Sequence, residues 1–296
     1  MAKKIVVVGS SNTDMTIKAN RLPAPGETIL GGSFQMGPGG KGANQAVAAA
    51  RLGGDVTFIC KVGRDMFGDN AIKGYEADGI DTTHILRSDK PSGVALILVD
   101  GSGENVIGVA PGANCDLTPD DIESVRDVIE SADYVILQLE IPVESTLAAA
   151  RIAHGAGACV ILNPAPATVL PEELFHYVSI ITPNQTEMSL LTGIDDDVPA
   201  MVAKLSSMGV DTVVMTRGSK GCALYGNGAT EMIPALKVNA IDATAAGDTF
   251  CGALCVGLSE GLSLKDAALF ATKASSITVQ RMGAQKSIPY RNELTD

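Results

Sequence analysis

The chain alternates between two kinds of segment, and that alternation constrains its fold more than any other feature. Near-continuous runs of β-branched and apolar residues occur at 4–10, 56–62, 134–141, 158–163, 178–182 and 212–216. Stretches with helical spacing of apolar residues lie between them, at 42–52, 67–78, 118–131, 143–154 and 198–208. Strands that are apolar on both faces must be covered on both faces, as in a parallel sheet between helices. The order of segments therefore predicts an α/β fold with right-handed crossovers. Thr118-Pro-Asp-Asp adds an N-cap, a first-turn proline and acidic residues where a helix start favours them.

Two segments break the rhythm. Residues 13–39 are rich in Pro and Gly and read as short alternating strands at 16–19 and 28–36. Residues 91–113 contain apolar runs at 93–99 and 105–109 around Asp100-Gly-Ser-Gly103, a hairpin signal. Such pieces fit poorly in a buried parallel sheet, so a small accessory sheet built from two insertions is expected.

Composition removes several classes of function. At 296 residues the chain is long enough to bury a large core. With 22 Lys and Arg against 34 Asp and Glu, the net charge is −12. Nucleic acid and anionic membrane are thereby disfavoured as partners. An anionic small molecule would need local neutralisation by backbone N–H groups, a few cations or a metal. The six cysteines form no C-x-x-C pair and only three histidines accompany them. Structural zinc is thus disfavoured, and buried, reduced thiols in a cytoplasmic protein are expected. The four apolar residues after the N-terminal lysines are too few for a signal peptide, and no run reaches membrane-spanning length.

Four short motifs carry chemistry. Gly37-Pro-Gly-Gly-Lys-Gly-Ala-Asn44 fits G-x-G-x-x-G by letter, with Asp65 where a dinucleotide fold has its ribose-binding acid. The short, mixed stretch before it is unlike a central first strand, and Gly42 after Lys41 excludes a Walker A. What remains is a glycine-rich turn at a helix start, with Lys41 and Asn44 able to donate to hydroxyl oxygens. In Asp242-Ala-Thr-Ala-Ala-Gly-Asp248, small residues lead into an apolar helix. The N–H groups of 246–248 would make an anion site at its positive end. Asp248 reads equally as a first-turn dipole partner or as a general base beside a phosphoryl group. Asn184 and Glu187, after Thr182-Pro183, read as a capping pair or as oxygen ligands for hydrated Mg²⁺. Thr216-Arg-Gly-Ser-Lys-Gly221 is a second glycine-rich turn, either for distal phosphates or leading plainly into a hairpin. Asn12 and Asp14 follow the first strand, and Glu140 ends another, where ligands of open α/β sheets bind.

Taken together, these motifs resemble those of the ribokinase/PfkB family of sugar and nucleoside kinases. Residues 39–53, from Gly39-Gly-Lys-Gly-Ala-Asn44 to Arg51-Leu-Gly53, look like the family's N-terminal signature, and 242–248 like its C-terminal one. Asn184-x-x-Glu187 looks like its magnesium-associated motif. Gly9-Ser-Ser-Asn-Thr-Asp14, Leu162-Asn-Pro-Ala-Pro-Ala167 and Gln138-Leu-Glu140 strengthen the likeness. The resemblance implies a three-layer α-β-α core with a mostly parallel sheet, from residues 1–13, 40–90 and 114–296. It also implies a β-sheet lid, from 14–39 and 91–113, that doubles as a homodimer interface.

The implied reaction is ATP-dependent phosphorylation of the 5-hydroxyl of D-ribose. Asn12, Asp14, Gly40, Lys41, Gly42, Asn44 and Glu140 would hold the sugar. Asp248 would be the base, with the N–H groups of Ala245, Ala246 and Gly247 stabilising the transferring phosphoryl group. Thr216, Arg217, Gly218, Ser219, Lys220 and Gly221 would contact ATP, with Gly247 and Thr272 on the purine side. Asn184 and Glu187 would organise Mg²⁺ through water. Asp242, Thr244, Thr278, Arg281, Gly283 and Ser287 would surround an activating K⁺, largely through carbonyls. The family usually has Thr where this chain has Ala243, and often Gly where it has Ala245.

Overall fold

The computed structural model describes residues 3–226 and 228–294. Its strands, in chain order, are Lys4–Val8 (β1), Asn12–Lys18 (β2), Ser33–Gly39 (β3), Asp55–Ile59 (β4), Lys61–Gly63 (β5), Leu86–Ser88 (β6), Gly93–Val99 (β7), Asn105–Ala110 (β8), Tyr134–Leu137 (β9), Cys159–Leu162 (β10), Ile180–Ile181 (β11), Thr212–Thr216 (β12), Cys222–Gly226 (β13) and Ala229–Ile233 (β14). One eight-stranded sheet has the order β14-β13-β12-β11-β10-β9-β1-β4. All its pairings from β12 to β4 are parallel, and the β12–β13 and β13–β14 pairings are antiparallel.

Side-chain alternation along these strands builds two cores. Ile5 and Val7, with Ile136, Ile161 and Val214, face one buried layer. Val6 and Val8, with Val135, Leu137 and Val160, face the other. The helices Lys41–Arg51, Ala246–Ser259 and Leu264–Thr278 cover the first layer, and Val143–Gly155 and Val198–Ser207 the second. This is the expected three-layer arrangement, with its sheet covered on both sides.

A second sheet has the order β3-β2-β7-β8, and β5 pairs with β6 apart from both. The small sheet starts earlier than the sequence pattern implies, because Asn12 already pairs with Gly39 and with Gly93. Asn12 and Asp14 therefore sit on a strand of the small sheet, not on the loop end of β1.

Three other expectations are corrected. The helix expected over 118–131 is split into Pro119–Ser124 and Arg126–Glu130. The Ser124 hydroxyl donates to the Asp121 carbonyl at 2.6 Å, and the Val125 N–H turns to Ile122. The strand expected over 134–141 stops at Leu137, leaving Glu140 in the turn before Pro142. Cys115 is exposed and Cys159 half-buried, while Cys60, Cys222, Cys251 and Cys255 are buried; all six are unpaired. Among the described residues no helix is long and apolar enough to cross a membrane.

The helices Lys41–Arg51 and Ala246–Ser259 pack unusually closely because their facing side chains are small. A Cβ on Gly252 would come within 2.7 Å of the Gln45 carbonyl and 2.8 Å of the Ala48 methyl. Since one contact is backbone, Gly252→Ala must push the helices apart. Overpacking of this kind costs about 1–3 kcal/mol. Urea unfolding should show that loss; an unchanged midpoint would mean that the contact has slack.

Candidate active site

A cleft of about 430 Å³ opens at the C-terminal ends of the parallel strands and is faced by Ala95, Ile97, Ile107 and Val109 of the small sheet. Asp248, in the first turn of Ala246–Ser259, lines it and is only 6% exposed. Its carboxylate accepts hydrogen bonds from Asn44 Nδ2 at 2.9 Å and Gln45 Nε2 at 3.0 Å, both on the helix Lys41–Arg51. Gln45 Nε2 also donates to Asn163 Oδ1 at 3.1 Å, and Gln45 Oε1 accepts from Gln138 Nε2 at 2.7 Å. The close helix packing makes these bonds possible. Asn44 Oδ1 is buried with no partner, an acceptor left available beside the carboxylate.

Sequence reasoning does not single out Gln45, Gln138 or Asn163 as site residues. Only Gln45 carries a local signal, as an amide among alanines on a buried helix face. Buried amides need partners.

Glu140 has a structural duty as well as a place in the cleft. It accepts from the Lys41 N–H at 2.9 Å and the Ser10 hydroxyl at 2.5 Å, and so caps a helix N-terminus. Gly40, at φ 91, makes the left-handed turn that brings this about. Gly42 does not line the cleft: its N–H donates to Ser10 Oγ, and a Cβ there would press on the Gly9 and Ser10 backbone. It is a packing glycine, which corrects its expected sugar contact.

Asp14 and Lys41 line the same wall. Burial, reinforced by Glu140 and Asp248, pushes the Asp14 carboxyl up to about 6. Burial pulls the Lys41 ammonium down, but the carboxylates of Asp248, Glu140 and Glu187 prevail and hold it above its ordinary range.

On the opposite wall, Asn184 is the N-cap of Gln185–Thr192, and it exchanges hydrogen bonds of 2.8 Å with Glu187. The capping reading of this pair is therefore realised, while both residues also line the cleft. Burial raises the Glu187 carboxyl above its ordinary value. Thr216 lines the cleft too, but the turn after it does not. Gly218–Lys220 is a 3₁₀ turn closed by the Arg217 N–H to the Gly221 carbonyl at 2.8 Å, with Ser219 and Lys220 exposed. Thr272 is buried on Leu264–Thr278, outside the cleft lining.

The approach to Asp248 is built as the small-residue motif implies, with one correction. Ala245 adopts the left-handed conformation at φ 60 and precedes the helix. The Ala246 N–H is not available, because that turn directs it to the Ala243 carbonyl at 3.2 Å. The N–H groups of Gly247 and Asp248 have no acceptor among the described residues. A Cβ on Gly247 would meet nothing within 4 Å. Behind this turn, the Asp242 carboxylate accepts from the Thr244 N–H and hydroxyl and the Gly283 N–H, at 2.9, 2.6 and 2.8 Å. Thr278 and Ser287 are buried nearby, whereas the Arg281 side chain turns away to Glu293.

Asp65, the acid a dinucleotide fold would have needed, caps Met66–Ala77 and holds Ser92. It does not line the cleft. A family model described as pfkB family carbohydrate kinase matches residues 2–291. The chain belongs to the pfkB family. The ribokinase of Staphylococcus aureus (strain COL) is 42% identical over 301 residues, covering 99% of both chains. The ribokinase structure from Thermotoga maritima superposes with a TM-score of 0.92 at 40% identity, covering 99% of this chain and 98% of that one. Arabidopsis thaliana ribokinase, solved with ribose and ATP, gives a TM-score of 0.92 at 34% identity over the same shares. The chain is thus a carbohydrate kinase with the ribokinase-like fold.

The Asp14 carboxyl supplies a stability test. Its raised folded value favours the protonated form, so its stabilising contribution is present below its ordinary 3.8 and is lost as pH rises through about 6. Asp14→Asn should therefore unfold at higher temperature than the parent at pH 7.5, with the gap closing toward pH 4. Equal melting temperatures at pH 7.5 would show that the Asp14 carboxylate is not destabilised by the cleft.

Proposed function

We propose that this pfkB-family kinase transfers the γ-phosphoryl group of ATP to the 5-hydroxyl of D-ribose, with Asp248 as the base. The observation that carries this reading is the Asp248 carboxylate, fixed by Asn44 and Gln45 beside two unpartnered helix N–H groups. The ribokinases it resembles, one of them solved with ribose and ATP, support the substrates.

Phosphoryl transfer through a loose transition state needs positioning and charge neutralisation more than covalent help. The amides of Asn44 and Gln45 hold Asp248 so that one carboxylate oxygen can accept the hydroxyl proton as the new P–O bond forms. The hydroxyl becomes acidic only during transfer, so the carboxylate need take its proton only then. The N–H groups of Gly247 and Asp248, at the positive end of the helix, meet the negative charge on the phosphoryl oxygens. Asn12, Asp14, Lys41 and Asn44 offer donors and acceptors to the sugar, while Glu140 holds the turn that carries Lys41. Ala95, Ile97, Ile107 and Val109 make an apolar roof over the cleft. The small sheet then acts as a lid.

The nucleotide brings its divalent cation as part of the substrate. The Asn184 and Glu187 side chains each have one polar end in the cap, and among the described residues no three His, Cys, Asp or Glu form a metal cluster. Water-mediated contact to a phosphate-bound Mg²⁺ fits that donor set. Lys220 and the 217–221 turn lie outside the cleft lining and would have to reach the distal phosphates from beyond Thr216. For K⁺, the carbonyls of Asp242, Thr244, Arg281 and Gly283 receive no hydrogen bond from any described residue. Hard oxygens of this kind suit a monovalent cation, whose charge would support the adjacent anion site.

Ile17, Phe34, Met36, Leu96 and Val106 stand exposed on the outer face of the small sheet, which supports a homodimer through the lid. Six unpaired cysteines support a cytoplasmic location.

ADP release measured over ribose, deoxyribose, fructose, adenosine and pseudouridine, with K⁺ or Na⁺, tests the substrates. Ribose should give the highest kcat/KM, and K⁺ should activate; preference for fructose or a nucleoside would overturn the substrate assignment. Asp248→Asn should lower kcat by about 10²–10⁴-fold with ribose still bound. A kcat near that of the parent would remove Asp248 from the role of base.

A further inference from the structure

The small sheet meets the core at a buried knot of four residues, Ser11, Asn12, Gly93 and Asn114, of which only Asn12 enters the reading above. Asn114 follows β8 in the 3₁₀ turn Gly112–Asp116 and is 1% exposed. Its Oδ1 accepts from the Ser11 backbone N–H at 2.8 Å. Its Nδ2 donates to the Ser11 carbonyl at 3.2 Å and to Asn12 Oδ1 at 2.7 Å. Gly93, paired with Asn12 across β2 and β7, makes room for this, since a Cβ there would overlap Asn12 Oδ1 and Asn114 Nδ2.

The polarity of these bonds is decided by the backbone. A peptide N–H can only donate, so the Ser11 N–H forces Asn114 to present its oxygen there and its NH₂ group on the other side. That NH₂ in turn forces Asn12 to present its oxygen to Asn114. The Asn12 NH₂ has no acceptor among the described residues, and Asn12 lines the cleft. A rotated Asn12 amide would place two NH₂ groups against each other and leave an acceptor facing the cleft.

We infer that Asn114 is a positioning residue that sets the orientation of the Asn12 amide, so that Asn12 meets the sugar as a hydrogen-bond donor. Through the same bonds it ties the entry of β2 to the exit of β8, so the sugar contact and the root of the lid share one fixed point. The inference rests on the reading that the cleft binds ribose and that Asn12 contacts it.

The test is a double-mutant cycle on Asn12→Ala and Asn114→Asp. The carboxylate introduced by Asn114→Asp could still accept from the Ser11 N–H but could no longer donate to Asn12. Asn114→Ser, which is smaller and neutral, is the second variant if the buried charge prevents folding, as judged by circular dichroism. Either change should raise the KM for ribose about fivefold or more, with kcat and the KM for ATP changed less than about twofold. In the Asn12→Ala background the same change should add less than about twofold, because coupled residues are non-additive. An unchanged ribose KM in the Asn114 variants, or an equal rise in both backgrounds, would overturn the inference. If Asn12→Ala itself leaves the ribose KM unchanged, the sugar reading of Asn12 is wrong and the inference falls with it.

Discussion

The site depends on one buried contact between two helices, the Asp248 carboxylate held by the Asn44 and Gln45 amides. A carboxylate that is almost wholly buried is costly unless hydrogen-bonded. Here the two amides supply those hydrogen bonds and leave lone pairs on both oxygens free to accept. The contact requires helices that approach closely, and close approach requires Gly252 and the alanines opposite it. The small side chains of these two segments thus serve packing and chemistry together.

Around that contact the charges are balanced locally. Asp14, Glu140, Asp248 and Glu187 gather about Lys41, and burial pushes the carboxyls of Asp14 and Glu187 upward. An acidic cleft repels a polyphosphate unless neutralising partners are at hand. In the proposed reaction Lys41, the two unpartnered helix N–H groups and the cation that accompanies the nucleotide would answer that need. The net charge of −12 disfavours a long anionic partner and still admits a small one that is neutralised locally.

The layered fold was legible because buried parallel strands leave a clear mark in apolar runs, and the alternation of Val6 and Val8 against Ile5 and Val7 carries both cores. The small sheet was legible as an interruption, yet its start was not. Asn12 reads as the end of β1 in sequence, and only the pairing with Gly39 and Gly93 makes it a strand residue. The polar chain Gln138–Gln45–Asn163 was missed for a related reason. Its members lie on three different elements, and nothing local in any one of them announces the other two. The Asn184 and Glu187 pair was ambiguous in sequence because a cap and a cleft-facing pair use the same spacing, and the fold uses it for both. The availability of individual N–H groups, such as that of Ala246, is set by a turn geometry that the letters do not specify.

In the proposed reaction the cleft presents the sugar's terminal hydroxyl, and no other, to Asp248. Phosphorus NMR of the product formed from D-ribose and MgATP tests it most directly, because a phosphate on C5 is split into a triplet by the two C5 protons. New phosphomonoester signals should all be triplets, one for each furanose anomer of the product. A doublet, which marks phosphate on a carbon bearing one proton, or the absence of any new phosphomonoester, would contradict it.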